Sequence, residues 1–146
     1  MKIDYKSILL SLVEYACVFL ILFTGDILPV SIINILIFVL SIFLGLWYIW
    51  TVRYKRFNLN TNYPKDARIV PVGPYKYVRH PVYLSILLLT LVIVVEHYSM
   101  IRVIIWILLL LILFIKLIHE ERIITRRNSD YLIYKRNTKR LIPFVY

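Results

Sequence analysis

The chain has 146 residues, of which 61% are hydrophobic, and its mean hydropathy of +0.78 lies far above that of soluble domains, which are roughly 45–50% apolar. This balance fits a single-domain integral membrane protein and excludes a water-soluble globule. The formal charge of +10 does not indicate a nucleic-acid binder, because the basic residues sit in loops between apolar spans and form no basic face on a soluble body.

Four stretches, at 7–23, 28–50, 81–95 and 100–118, approach the roughly 20 apolar residues that cross the hydrocarbon as a helix. The expected fold is an all-α polytopic membrane bundle, one domain over 1–146, with about four transmembrane helices. A cytoplasmic loop and a helical C-terminal tail, 51–83 and 116–143, are expected to form its site. The first span is followed by no small-residue cleavage signal and reads as a retained span. It carries Glu14 and the single cysteine, Cys17, so neither an intramolecular disulfide nor a cysteine-based metal site is expected. The second span closes on Trp47, Tyr48 and Trp50, rings suited to a membrane interface. The third would cover only about 22 Å at 1.5 Å per residue, and the fourth carries Lys116. Residues 24–27 and 96–99 leave room only for tight helical hairpins. Two basic residues precede the first span, seven lie in 51–80 and seven follow the fourth span, against Arg102 alone on the other side. The positive-inside rule therefore places both termini and the long loop in the cytoplasm.

Two clusters on that side do not belong to an ordinary apolar core. The stretch GPYKYVRHPVY at 73–83 packs aromatic rings, cations and prolines against the start of the third span. Pro81 suits the first helical position with His80 as cap, leaving the amides of Val82, Tyr83 and Leu84 unpaired at the positive helix end. With Arg79 alongside, that end can attract a carboxylate or phosphate; alternatively, Lys76 and Arg79 touch lipid phosphates. The second cluster is Lys116, His119, Glu120 and Glu121. Adjacent acids at a helix C-terminus oppose its dipole, so the fourth helix is expected to run on through 122–127. A carboxylate at membrane depth is a default site hypothesis, and interfacial ion pairing is the plainer reading. In the tail, DYLIYKRNTKRLIP at 130–143, Tyr131 and Tyr134 are placed to pack beneath the bundle, or the basic segment lies on anionic lipid.

Taken together, GPYKYVRHPVY, the acids of HEER at 119–122 and DYLIYKRNTKRLIP resemble the isoprenylcysteine carboxyl methyltransferase family and its relatives, the membrane phospholipid N-methyltransferases. The likeness covers about the last half of the chain. It implies methyl transfer from S-adenosylmethionine to a lipophilic acceptor drawn from the bilayer. It also implies cofactor contacts at Tyr75, His80, Pro81, Val82, Tyr83 and Glu120 or Glu121, with the backbone of Ile69 and Val70 along the adenosine. Lys116 stands where family members often carry a substrate-facing Arg, and Arg79 is the second candidate for substrate binding. Arg127 and Asn128 replace the usual aromatic and glycine after the acids, and Val82 and Ser85 replace a Met and a Gly.

That chemistry suits the residues. A helix N-terminus can hold the cofactor's carboxylate, an acid its ammonium or ribose hydroxyls, and tyrosine faces its sulfonium. No residue stands out as a dedicated base, so the catalytic assignment stays open. Membrane lipids are expected partners and nucleic acid is not. Phospholipid N-methylation, or a non-enzymatic four-span protein that binds lipid headgroups, are the rival functions.

Overall fold

A computed structural model describes residues 4–54, 72–128 and 130–142. Within them five α-helices follow one another, α1 (Tyr5–Phe23), α2 (Ile32–Tyr54), α3 (Pro81–Glu96), α4 (Met100–Arg127) and α5 (Asp130–Asn137), with a 3-10 turn at Gly73–Lys76 before α3. Among the described residues there is no strand, only one isolated bridge between Val78 and Lys139. Helices α1, α2 and α4 are long and apolar enough to span a membrane, and α3 is a shorter apolar helix. This is a helical membrane bundle, as the composition requires. Ile69, Val70, Pro143 and most of the 51–80 loop lie outside the described residues.

α1 packs along α4 and α2 along α3, and α3 joins the two pairs by also touching α4 and α1. Their shared core includes Cys17 and Ile21 of α1, Leu87 and Ile93 of α3, and Leu109, Leu113 and Leu117 of α4. The outward faces of α1, α2 and α4 carry large exposed apolar side chains, which suits helices bathed in lipid. Gly45 of α2 faces Ser85 of α3, where an added Cβ would meet Ser85 Oγ in ordinary contact at 3.5 Å.

α2 starts four residues later than the hydropathy pattern suggests. Pro29 lacks an amide donor and disfavours helical geometry at Leu28. The first intrahelical bond instead runs from the Ile35 amide to the Ser31 carbonyl at 2.9 Å. The same turn is tied to the end of α3, where Glu96 accepts from the Ser31 amide at 3.2 Å and from Asn34 Nδ2 at 2.6 Å. Arg102 closes this end of the bundle by donating to Thr24 Oγ1 and the His97 carbonyl. α4 runs on to Arg127, as the acid pair predicts. Its 28 residues make about 42 Å, more than the roughly 30 Å of hydrocarbon, so its last turns carry Glu120 and Glu121 toward the polar boundary.

Gly73 begins the 3-10 turn with φ 57°, in the left-handed region that costs an L-residue roughly 1–2 kcal/mol. A Cβ would also lie 2.5 Å from Thr51 Oγ1 and 3.3 Å from Trp47 Nε1. The turn thus packs directly on the end of α2, where Tyr48 meets the Tyr75 ring at 6.0 Å. Gly73→Ala should lower stability by at least about 1–2 kcal/mol, read as a fall in the denaturant midpoint of the protein in detergent. Unchanged stability would show that the turn does not need this geometry.

Candidate functional site

The segment before α3 is held in place by the tail. The amides of Arg79 and His80 donate to the carbonyls of Lys139 and Arg140 at 2.8 and 3.1 Å, and the Lys139 amide donates to the Tyr77 carbonyl at 3.1 Å. Residues distant in sequence therefore meet as a short parallel ladder. Tyr134 strengthens it by donating its hydroxyl to the Tyr75 carbonyl at 2.8 Å. Tyr131 and Tyr134 are buried and pack with Ile124 of α4, so the tail folds back under the bundle. Burial pushes the hydroxyls of Tyr75, Tyr131 and Tyr134 above the ordinary tyrosine range, so all three stay protonated.

Arg79 is the centre of this clasp and is only 5% exposed. Its Nε donates to Glu121 Oε1 at 2.7 Å, and its Nη1 donates to the carbonyls of Lys135 (2.9 Å) and Thr138. Glu121, 2% exposed, also meets Lys135 Nζ at 3.1 Å and Arg140 Nε at 3.4 Å through Oε2. One carboxylate on α4 thus gathers three cations from two other segments. A buried carboxylate is tolerable only with such pairing.

The neighbouring acid faces differently. Glu120 Oε2 accepts from the Tyr83 hydroxyl at 2.7 Å and lies 3.9 Å from His80 Nδ1, with its side chain 24% exposed. The His80 and Tyr83 rings are parallel, 10° apart in plane and 5.2 Å between centroids. His80 Nε2 is buried without a hydrogen bond and stands 3.7 Å from Glu121 Oε1. His80 caps α3 and Pro81 opens it, but the Leu84 amide bonds the His80 carbonyl at 3.3 Å. Only Val82 and Tyr83 therefore contribute amides ahead of the first intrahelical bond, one fewer than the motif suggests.

The expected site residues fall into three groups. His80, Pro81, Val82, Tyr83 and Glu120 come together at the head of α3. Tyr75, Arg79 and Glu121 lie beside them as buried ties between loop, tail and α4. Lys116 forms a pair of its own, 2.5 Å from Glu14 Oε2 and 5.5 Å from the centroid of the Tyr83 ring. His119 is drawn away from the acids, since its Nε2 lies 2.7 Å from Asp4 Oδ2. That contact is the main cause holding the Asp4 carboxyl below its ordinary range, and the Ser7 amide adds to it.

Sequence reasoning did not single out Glu14, Lys135, Thr138 or Arg140. Glu14 carried a usable signal: it is an acid in one apolar span, and Lys116 is a base in another. Removing either partner of such a buried pair leaves the other uncompensated, at a cost of about 3–5 kcal/mol.

The isoprenylcysteine carboxyl methyltransferase (ICMT) family model matches residues 32–126. The chain belongs to this family. No curated protein and no solved structure matches it. The family match takes in α2, α3, the His80-Pro81 motif and the acids of α4, and identifies a membrane methyltransferase of the isoprenylcysteine type. Glu14 on α1 and the clasp residues of the tail lie outside the matched segment.

Glu121→Gln should destabilise the fold by about 3–5 kcal/mol, because it strands the buried Arg79 guanidinium. Arg79→Lys should not restore stability, since a lysine cannot reproduce the planar fork. Glu120→Gln should change stability far less. Equal midpoints for Glu120→Gln and Glu121→Gln in detergent unfolding would contradict this division of labour.

Proposed function

We propose that the protein transfers a methyl group from S-adenosylmethionine, taken from the cytoplasm, to a lipophilic acceptor that approaches through the bilayer. The observation that carries this reading is the meeting of the Tyr83–Glu120 hydrogen bond, the buried His80 Nε2 that makes no hydrogen bond and the first amides of α3 at one end of an apolar bundle. A polar cluster of this kind fits a ligand that is itself zwitterionic. The cofactor supplies an electrophilic methyl on a sulfonium centre.

Each residue then has a task. The amides of Val82 and Tyr83 at the positive end of α3 suit the carboxylate of the cofactor. Glu120, partly exposed and hydrogen-bonded to Tyr83, suits its ammonium or ribose hydroxyls. The rings of Tyr75, His80 and Tyr83 and the ring of Pro81 would wall the cofactor from water. Ile69 and Val70 would run along the adenosine with their backbone. Glu121 and Arg79 act by fixing the loop and tail, so that the other groups keep their positions, and positioning supplies much of the rate in a bimolecular displacement. Phospholipid N-methylation is the nearest enzymatic alternative, and the family match favours the first reading.

Calorimetry on the protein in detergent should detect binding of S-adenosylmethionine or its demethylated product. Glu120→Gln and Tyr83→Phe should each weaken it by about 1–3 kcal/mol, the cost of an unsatisfied buried polar partner. Wild-type affinity in both folded variants would remove these contacts from the site, and no binding at all would favour a non-enzymatic lipid-binding protein.

The sidedness rests on the distribution of basic residues. A cysteine at Ser99 should react with an impermeant thiol reagent added to intact cells, whereas one at Lys76, exposed beside the site, should react only after permeabilisation. The opposite pattern would invert the topology.

A further inference from the structure

Beside the clasp, the last turns of α4 and the returning tail enclose a cleft of about 400 Å³. Ile118, Arg122, Thr125 and Arg126 line it from α4, and Lys135 and Arg140 line it from the tail. Glu121 is the one acid among these described residues, and its carboxylate is 2% exposed and already paired with Arg79 at 2.7 Å. Lys135 and Arg140 approach the other carboxylate oxygen from 3.1 and 3.4 Å. Arg122 and Arg126 are exposed and stand one turn apart on α4, a like-charge spacing that disfavours a helix. The proposed cofactor contacts use none of these four cations.

Depth and the neighbouring surface decide which anion suits this charge. Arg102 lies in the first turn of α4 and Arg122 follows twenty residues later, which at 1.5 Å per residue is about 30 Å, the thickness of the hydrocarbon. Arg122 and Arg126 therefore lie at headgroup depth. Leu111, Ile115 and Ile118 put exposed apolar side chains on α4 below them, and their spacing of four and three residues places them on the face that Arg122 continues. An acyl chain can follow that stripe and bring its phosphate to the cleft, whereas the stripe offers nothing to a soluble anion. A headgroup with its own ammonium would set that charge among four others. We propose that the cleft binds an anionic phospholipid, its phosphate between Arg122 and Arg126 of α4 and Lys135 and Arg140 of the tail, and its chains along α4. Arginine forks match phosphate oxygens. The bound anion offsets the repulsion among the cations crowded about Glu121, so the lipid also holds the tail against α4. This site is independent of the methyltransferase reading.

The test titrates the full chain in detergent with dioleoylphosphatidylglycerol or with dioleoylphosphatidylcholine and counts retained lipids by native mass spectrometry. The wild type should bind the glycerol lipid roughly tenfold more tightly, as several basic side chains at one surface imply. Arg122→Gln combined with Arg126→Gln should lose roughly that factor. Arg53→Gln combined with Arg136→Gln removes the same charge at exposed positions outside the cleft and should change binding by less than about twofold. Equal losses in the two double variants would show diffuse surface attraction and overturn the site. Equal wild-type affinity for the two lipids would overturn it without any variant. Inorganic phosphate at millimolar concentration should not displace the lipid, and displacement would assign the cleft to a soluble anion instead. The glycerol lipid should also raise the unfolding midpoint of the wild type, and an unmoved midpoint would refute its hold on the tail.

Discussion

The arrangement of the site depends on the buried ion pair between Arg79 and Glu121. The helices on either side are apolar and would pack in lipid without it, whereas the loop ahead of α3 and the tail after α4 lie outside the spans and add only a small cluster of buried side chains, Tyr75, Val78, Tyr131 and Tyr134 among them. A carboxylate sealed at 2% exposure with three cations around it ties both segments to α4. Its desolvation cost is met only while every partner is present. Loop, tail and helix end are thereby tied together, and the ladder between residues 77–80 and 139–140 lies beside this pair.

The clasp also explains why two adjacent glutamates have unlike environments. On a helix, successive residues point about 100° apart, so one of the two necessarily turns away from the face the other uses. Glu121 turns toward Arg79 and the tail. Glu120 turns toward Tyr83 and His80 and keeps partial contact with water. Two acids with unlike surroundings thereby share one turn of α4.

Inside the bundle a second charge pair follows the same rule with a different consequence. An ionised side chain at the centre of a span is expensive, about 2.5–3.5 kcal/mol on insertion scales, and Glu14 and Lys116 offset that expense by meeting each other. Lys116 of the pair also lies over the Tyr83 ring, so α1 is tied through this pair to the head of α3.

Much of this protein was legible in its residues. Hydropathy alone marks four apolar helices, because lipid tolerates only backbone that satisfies its own hydrogen bonds. Pro81 after His80 marks the start of α3, and the adjacent acids require α4 to continue past them, since both are local consequences of backbone and dipole chemistry. The mixture at 73–83, together with the acids, pointed to the family. Other features depended on which segments meet across the fold, and no local pattern encodes that. The sequence left Glu120 and Glu121 equivalent; the tertiary structure separated them by setting Arg79 beside one and Tyr83 beside the other. It placed Tyr131 and Tyr134 under the bundle through the ladder with residues 77–80, and drew His119 to Asp4. Above all it paired Lys116 with Glu14 across 102 positions. Composition can show that two opposite charges lie in two apolar spans, but only the packing of α1 along α4 brings them within 2.5 Å, where low dielectric makes each the other's necessary partner.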